Sequence, residues 1–553
     1  MLGVGVSLTG LAVRGGDPFA VFAANGFKPS LIASFKNGVY AKPVPVLGPE
    51  AATNGTFDTD TGWNKGAGWT IADGKASHTD VSGALTQPFA ADANKTWVIT
   101  WTLSDYVSGA AYIGFLGGTN AFAASRTANG TYTEVITTST SVTTLYIGTS
   151  NIVASIDDIS VREITSFAPA RTTFADLLNF DRTGSGTYVT SDGAIETAAD
   201  GVARLGHHKY DGSQWVNKGF LFEPDEATNF HLYSNDQSQA NWVASNEVTK
   251  NVSQTASPTD VVNAGLIVPN TANAVHAFRL GSFSVTSGNK YTFSISVKPS
   301  GYTRFRMEGT SQFSGAAAFV VTDGEIQKNG FYRHKVGLTA TSTSAFAQVQ
   351  VTFLTDAGVI THAGDGASGL YFWGAQFEDG EVASSSIPTA GASVTRQAET
   401  ADISAADAPF LASGMSGAHK RLLNYADTGS ATEQTLFDRR VDANNRITVT
   451  LDTAGANTGK VTLTVVNGGT SVSVTSTNQI SPGSDTVANV AWRVSSSEIN
   501  IALNGTSATA VSNTAGVPSV GGADCVFGGA ATFESDLLWA ADIADTGIEG
   551  ASA

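Results

Sequence analysis

Carboxylates come first among the side chains that could do chemistry. Asp157 and Asp158 are adjacent, and Glu378, Asp379 and Glu381 crowd one short stretch. Glycoside hydrolysis needs only two carboxyls at a suitable separation, one to give a proton and one to activate water or attack the sugar. Both groups have that composition, and both also suit plain hydrogen bonding to backbone. Asp58, Asp60 and Asn64 surround Gly62 and have the oxygen donors of a loop cation site. The same residue types build Asx turns. His207 and His208 are metal-type ligands, but neighbours on a strand point to opposite faces. They are not expected to chelate together, and a surface role is the expectation. Trp63, Trp69 and Tyr112 offer flat apolar rings to the C–H face of a sugar. Trp63 and Trp69 lie in Gly-rich loops and are freer than strand residues, yet core or loop packing is the favoured reading and sugar stacking the alternative. Trp97 and Trp101 share a strand face with Ile99 and belong to the core.

Other chemistry is missing its residues. The chain has no Gly-x-Ser-x-Gly, no P-loop and no His-Glu-x-x-His. Cys525 is its only cysteine, so an intrachain disulfide and a cysteine-built zinc site are both excluded. A net charge of −17 opposes binding to a phosphate backbone, which needs a cationic face. The first residues are apolar at Leu2, Val4, Val6, Leu8, Leu11 and Val13. No basic run precedes them, and the stretch is too short to span a bilayer. A soluble protein without membrane insertion is expected. Residues 1–47 read either as an anchoring strand that adds to a partner's sheet edge or as a strand of their own domain.

The elements that must hold these residues are strands. Charged residues make up 14% of the chain, against about 25% in ordinary soluble domains. Ser, Thr, Ala and Asn replace them, which favours sheets with polar faces. Trp97, Ile99, Trp101 and Leu103 alternate with Val98, Thr100 and Thr102, the pattern of a half-buried strand. At 553 residues three or more domains are expected. Lys42-Pro43-Val44-Pro45-Val46 reads as a linker. Residues 48–165 form a first sandwich, residues 166–228 a connector, residues 229–403 a second sandwich and residues 404–553 a third. The first two share one plan. Asn94 to Trp101 has a counterpart in Asn289 to Ile295, Asn129 to Tyr132 in Asn329 to Tyr332, and Gly62-Trp63 in Asn241-Trp242. The connector's Gly219–Glu223 run is expected to pack on the second sandwich.

Two segments carry a resemblance. The first holds Phe174, Asp176, Leu177, Phe180, Arg182, Thr187, Tyr188, Val189, Asp192, Gly193, Ile195, Arg204, Gly219, Leu221, Glu223, Pro224, Thr228 and Asn229. The second runs from Trp373 to Gly380 and continues through Ser386 to Thr389, Gly391 and Val394 to Arg396. Together they resemble segments of tailed-bacteriophage virion structural proteins. Residues 48–165 and 229–403 resemble carbohydrate-binding-module sandwiches. Residues 404–553 resemble a concanavalin-A-like, laminin-G-type sandwich. The resemblance implies a mainly β, multidomain chain of tandem jelly rolls with a lectin-like sandwich at its C-terminal end. It implies a non-enzymatic fibre, spike or decoration protein of the virion, soluble in the host cytoplasm before assembly. Its implied partners are other virion proteins through residues 1–47, further copies of itself (a trimer first) and host-surface glycans. No cofactor is required, and Asp157 is the position that would hold a structural calcium. Two alternatives stand beside this reading. One is a glycan-degrading depolymerase that uses Glu378 or Asp157. The other is a capsid cement protein without receptor binding.

Overall fold

The structure is a computed structural model that describes residues 29–427, 429 and 433–553. Leu2, Val4, Val6, Leu8, Leu11 and Val13 lie outside the described residues. Strands hold 60% of the chain and helices 4%. The strands pair antiparallel and build three β-sandwiches, each around its own core.

The first sandwich is built on two very long strands, Lys95–Leu116 and Val142–Thr172. Alternating apolar residues carry each strand from one sheet into the other. Register shifts near Ser150, Val153 and Ser155 make the crossing, and Asp105, Gly109 and Asn151 take positive φ there. One sheet adds Asn64–Lys65, Leu85–Ala91 and Ala121–Phe122. The other adds Trp69–Ala72, Lys75–His78 and Gly130–Thr138.

The second sandwich packs a five-stranded sheet on a seven-stranded one. Its centre repeats the order of the first. Lys290–Ser300 lies between Phe331–Ala340 and Gly369–Asp379, as residues 95–104 lie between Gly130–Thr138 and residues 155–163. The tryptophan marks correspond as well. The indole N–H of Trp63 donates to the Asn54 carbonyl, and that of Trp242 donates to the Tyr233 carbonyl, each nine residues upstream.

The third sandwich is assembled from distant pieces of chain. One of its sheets runs Glu498–Leu503, Gly483–Ser495, Gly414–Tyr425 and Ala531–Trp539. The outer edge of Ala531–Trp539 is covered by two segments from elsewhere. Trp215–Phe222 pairs with its start, and Leu31–Ser34 with its end. The facing sheet takes Asn179–Asp181 as an edge strand beside Thr400–Ile403. Leu31, Phe35, Leu177, Phe220 and Phe222 therefore lie in one core with Phe533 and Trp492.

Three expectations change. Leu31–Ser34, within the stretch read as a segment of its own, pairs with Ala531–Trp539 of the third sandwich. The Pro43–Pro45 stretch is no loop but part of strand Val39–Glu50, with Pro45 opposite Phe167 and Pro43 opposite Pro169. This two-stranded arm pairs on one side only, and an edge strand tolerates the missing proline N–H. The Gly219–Glu223 run buries its phenylalanines in the third sandwich instead of on the second. Gly219 is required there: its φ is +110°, and a Cβ would sit 2.1 Å from the Phe533 carbonyl oxygen.

Candidate functional site

The residues of the two resembling segments meet in one buried polar cluster. Arg182, Arg204 and Glu223 come from the connector, and Arg396 and Glu399 from the chain leaving the second sandwich. Arg182 Nη1 donates to Glu399 Oε1 at 2.8 Å, and Arg204 Nη2 donates to Glu399 Oε2 at 2.8 Å. Arg204 Nη1 donates to Glu223 Oε2 at 2.7 Å, and Arg396 Nε lies 3.2 Å from the same oxygen. The Glu399 carboxylate and the Arg182 and Arg204 guanidiniums are wholly buried. Burial alone would raise the Glu223 carboxyl, but Arg204, Arg396 and Ser385 hold it well below the usual carboxylate range. Buried charges are tolerated only when their partners satisfy them, and here carbonyls take up further N–H groups. Arg182 also donates to the carbonyls of Ala199 and Val202, and Arg396 to that of Asp225.

Neutral side chains extend this clasp into the second sandwich. Asn229 uses its full capacity. It donates to the carbonyls of Ala375 and Ile387 and accepts from the backbone N–H groups of His231 and Phe377. Gln376 donates to Glu378 and accepts from the Ile387 N–H. Thr389 and Ser234 exchange bonds between backbone N–H and hydroxyl. Lys209 adds an ion pair to Asp485 of the third sandwich at 2.6 Å and another to Glu325 of the second at 3.3 Å. The resembling motifs thus hold the second and third sandwiches together.

The carboxylates with catalytic composition do not form a site. Glu378 is buried in the second sandwich, where its carboxylate accepts from Gln376, from the Ser384 hydroxyl and from the Ser384 N–H. Burial pushes its carboxyl up. Asp379 follows it as an exposed residue at the strand's end, and Glu381 pairs with Lys290. Asp157 belongs to the first sandwich and accepts from the Asp158 N–H at a bulge within strand Val142–Thr172, where Asp158 has φ +51°. Among the described residues no three His, Cys, Asp or Glu side chains gather to hold a metal ion. In the Asp58 loop, Lys65 pairs with Asp60, and Asp58 accepts from Thr56 at 2.7 Å. His207 is buried, contrary to the surface role expected of it. A bulge separates it from His208, and its Nδ1 accepts from the Val189 N–H at 3.2 Å.

One histidine–aspartate pair went unnoticed in the sequence. In the third sandwich His419 Nδ1 lies 2.6 Å from Asp536 Oδ1, and Arg421 donates to the same oxygen at 3.1 Å. Trp492 Nε1 donates to His419 Nε2 at 2.9 Å. An indole N–H can only donate, so the imidazole proton is on Nδ1 and its basic nitrogen is already occupied. The pair is sealed within the core. It orders that core and reaches no substrate. Cys525 is equally enclosed, and burial pushes its thiol up, the condition of an unreactive cysteine.

The aromatic candidates divide. Trp63 and Trp69 are only 7% and 5% exposed and belong to the first core. Glycines let their loops fold inward, and the Trp69 indole N–H donates to the Gly83 carbonyl at 3.3 Å. They do not present a stacking face. Tyr112 does. Its ring centroid lies 5.3 Å from that of Phe122 and 6.1 Å from that of Tyr146, and the Phe122 and Tyr146 rings are 5.6 Å apart. Phe122 is 41% exposed.

Glycines make room for this shelf, whose rings meet edge-on at 74° between Tyr112 and Phe122 and tilted at 40° and 49° in the other two pairs. A Cβ on Gly148 would sit 2.3 Å from the Tyr112 ring and 2.6 Å from the Tyr146 ring, and one on Gly114 would sit 2.8 Å from the Phe122 ring. The rings therefore occupy the space over positions without side chains. A row of cross-strand partners passes through the shelf: Asn64, Thr86, Tyr146, Gly114 and Phe122. It sets an amide and a hydroxyl beside three rings, the pairing of apolar face and polar edge that a sugar presents. Sequence reading had Tyr112 but not Phe122 or Tyr146. The available signal was a glycine opposite each ring's strand.

No family model matches the chain. No curated protein matches it either. Among solved structures it is similar to the ANXUR1 extracellular domain from Arabidopsis thaliana, at 10% identity and a TM-score of 0.16. The match covers 54% of this chain and 83% of that one. A likeness that distant carries no argument about function.

Proposed function

We propose that this chain is a non-enzymatic structural protein of a tailed-bacteriophage particle, in the manner of a fibre, spike or decoration protein, which presents its sandwiches to host-surface glycans. The observation that carries the glycan part is the shelf of Tyr112, Phe122 and Tyr146 on an outer sheet face. The particle part is supported by the resemblance, whose residues Arg182, Arg204, Glu223 and Arg396 form the buried cluster between the second and third sandwiches. Where Glu378 and Asp157 lie also favours contact over cleavage. They belong to different sandwiches, and each is engaged by its own neighbours.

The test is a glycan array probed with the full chain and with Phe122→Ala and Tyr146→Ala variants. Stacking contributes about 0.5–1.5 kcal/mol per aromatic pair beyond burial, so each variant should bind its glycan roughly three- to tenfold more weakly, with an unchanged melting curve. Glycan binding that ignores both substitutions would remove the shelf from this account.

A further inference from the structure

The five-stranded sheet of the second sandwich has its own outer groove, of about 780 Å³, within the range of small-ligand sites. Its floor is a hydrogen-bonded row across three strands. Arg279 Nε donates to Gln350 Oε1 at 2.9 Å, and Gln350 Nε2 donates to Glu308 Oε1 at 3.3 Å. Thr352 donates to the same Glu308 oxygen at 3.1 Å, while Arg306 pairs with Glu308 Oε2 at 2.9 Å.

The acid of the groove is thereby spent on its neighbours. Arg279 is not: among the described residues its two terminal nitrogens have no partner. Gln348 lies along the same groove, and the Phe346 ring at its side is 75% exposed. In a chain of net charge −17, this face sets a guanidinium fork with two open donor nitrogens beside an amide and an apolar ring. A guanidinium held by its Nε presents its remaining N–H groups in the plane that suits a carboxylate.

We propose that this groove binds an acidic saccharide, one bearing a carboxylate on its ring, with Arg279 clamping the carboxylate, Gln348 bonding hydroxyls and Phe346 stacking on the ring's apolar face. The inference rests on reading the sandwiches as glycan-contact modules, but it uses a different sandwich and different residues from the shelf.

The experiment is affinity electrophoresis of the full chain through gels holding polygalacturonate, hyaluronate, polysialate, carboxyl-reduced polygalacturonate or polyglutamate. Retardation is expected by at least one carboxylated saccharide and not by its neutral counterpart or by the acidic peptide. Arg279→Gln should weaken it by about tenfold or more, the scale of a hydrogen bond to a charged group, and Phe346→Ala should weaken it less. Both positions are on the surface, and unchanged melting curves will show that the variants fold. A Tyr112→Ala/Tyr146→Ala variant should be retarded like the parent. The proposal is overturned if no carboxylated polymer retards the chain, if the reduced polymer or polyglutamate retards it equally, or if Arg279→Gln changes nothing. Neutral glycans bound through the shelf would in that event leave the broader reading standing.

Discussion

Glu399 shows at the scale of one residue how this chain spends its few charges. One carboxylate takes two arginines from a segment about two hundred residues away in sequence. It also accepts from the Glu223 N–H at 2.7 Å. Removing one member of such a buried pair typically costs about 3–5 kcal/mol, because the partner is left charged in a dry site. Buried histidines give a second consequence, through pH. Desolvation lowers His207 to about 3 and His231 to about 4, against about 6.5 in an unfolded chain. Between those values the unfolded chain takes up a proton that the folded chain refuses, so stability falls as pH falls below about 6.5. The lowered carboxyl of Glu223 acts in the same direction at more acid pH, and the raised one of Glu378 in the opposite direction. From pH 6.5 to 5 each histidine should cost roughly 2 kcal/mol. Urea unfolding at a series of pH values will read the slope, and His207→Gln should flatten it. An equal slope in that variant would place the proton uptake elsewhere.

At the scale of elements, what the sequence revealed depended on the distance between partners. Residues 95–103 were legible as a strand because alternation is local, and the shared plan of the first two sandwiches was legible because its marks recur in order. The pairing of Leu31–Ser34 with Ala531–Trp539 joins Leu31 to Leu538, and no local pattern encodes a partner five hundred residues away. The prolines at 43 and 45 pointed to a break, but an edge strand absorbs them as well as a loop does. Trp63 and Trp69 packed inward, as core packing expects, for a related reason. A glycine-rich loop can turn a ring outward or inward, and apolar area favours inward unless a glycine on a sheet face makes room for the ring, as Gly114 and Gly148 do. The third sandwich yields a prediction at this scale. Residues 404–553 alone lack the strands that cover Ala531–Trp539 and the rings of Phe35, Phe220 and Phe222. Expressed by themselves they should bind a hydrophobic dye and melt without a cooperative transition. A sharp melt with no dye binding would show that the borrowed strands are dispensable.

Taken whole, the molecule is a body in which the second and third sandwiches are clasped together and the first is carried on a two-stranded arm. The arm's strands leave the sheet of the third sandwich and enter the first, so the aromatic shelf is covalently close to the clasp residues yet stands on a different core. Among the described residues no helix is long and apolar enough to cross a membrane. The central claim is that the chain holds glycan without cutting it. It is tested most directly by incubating the full chain with purified host-surface polysaccharide and following both on a sizing column with a reducing-end assay. The account predicts that protein and polysaccharide elute together, with polymer length and reducing ends unchanged. Shortened polymer with new reducing ends would contradict it, as would polysaccharide that elutes free of the protein.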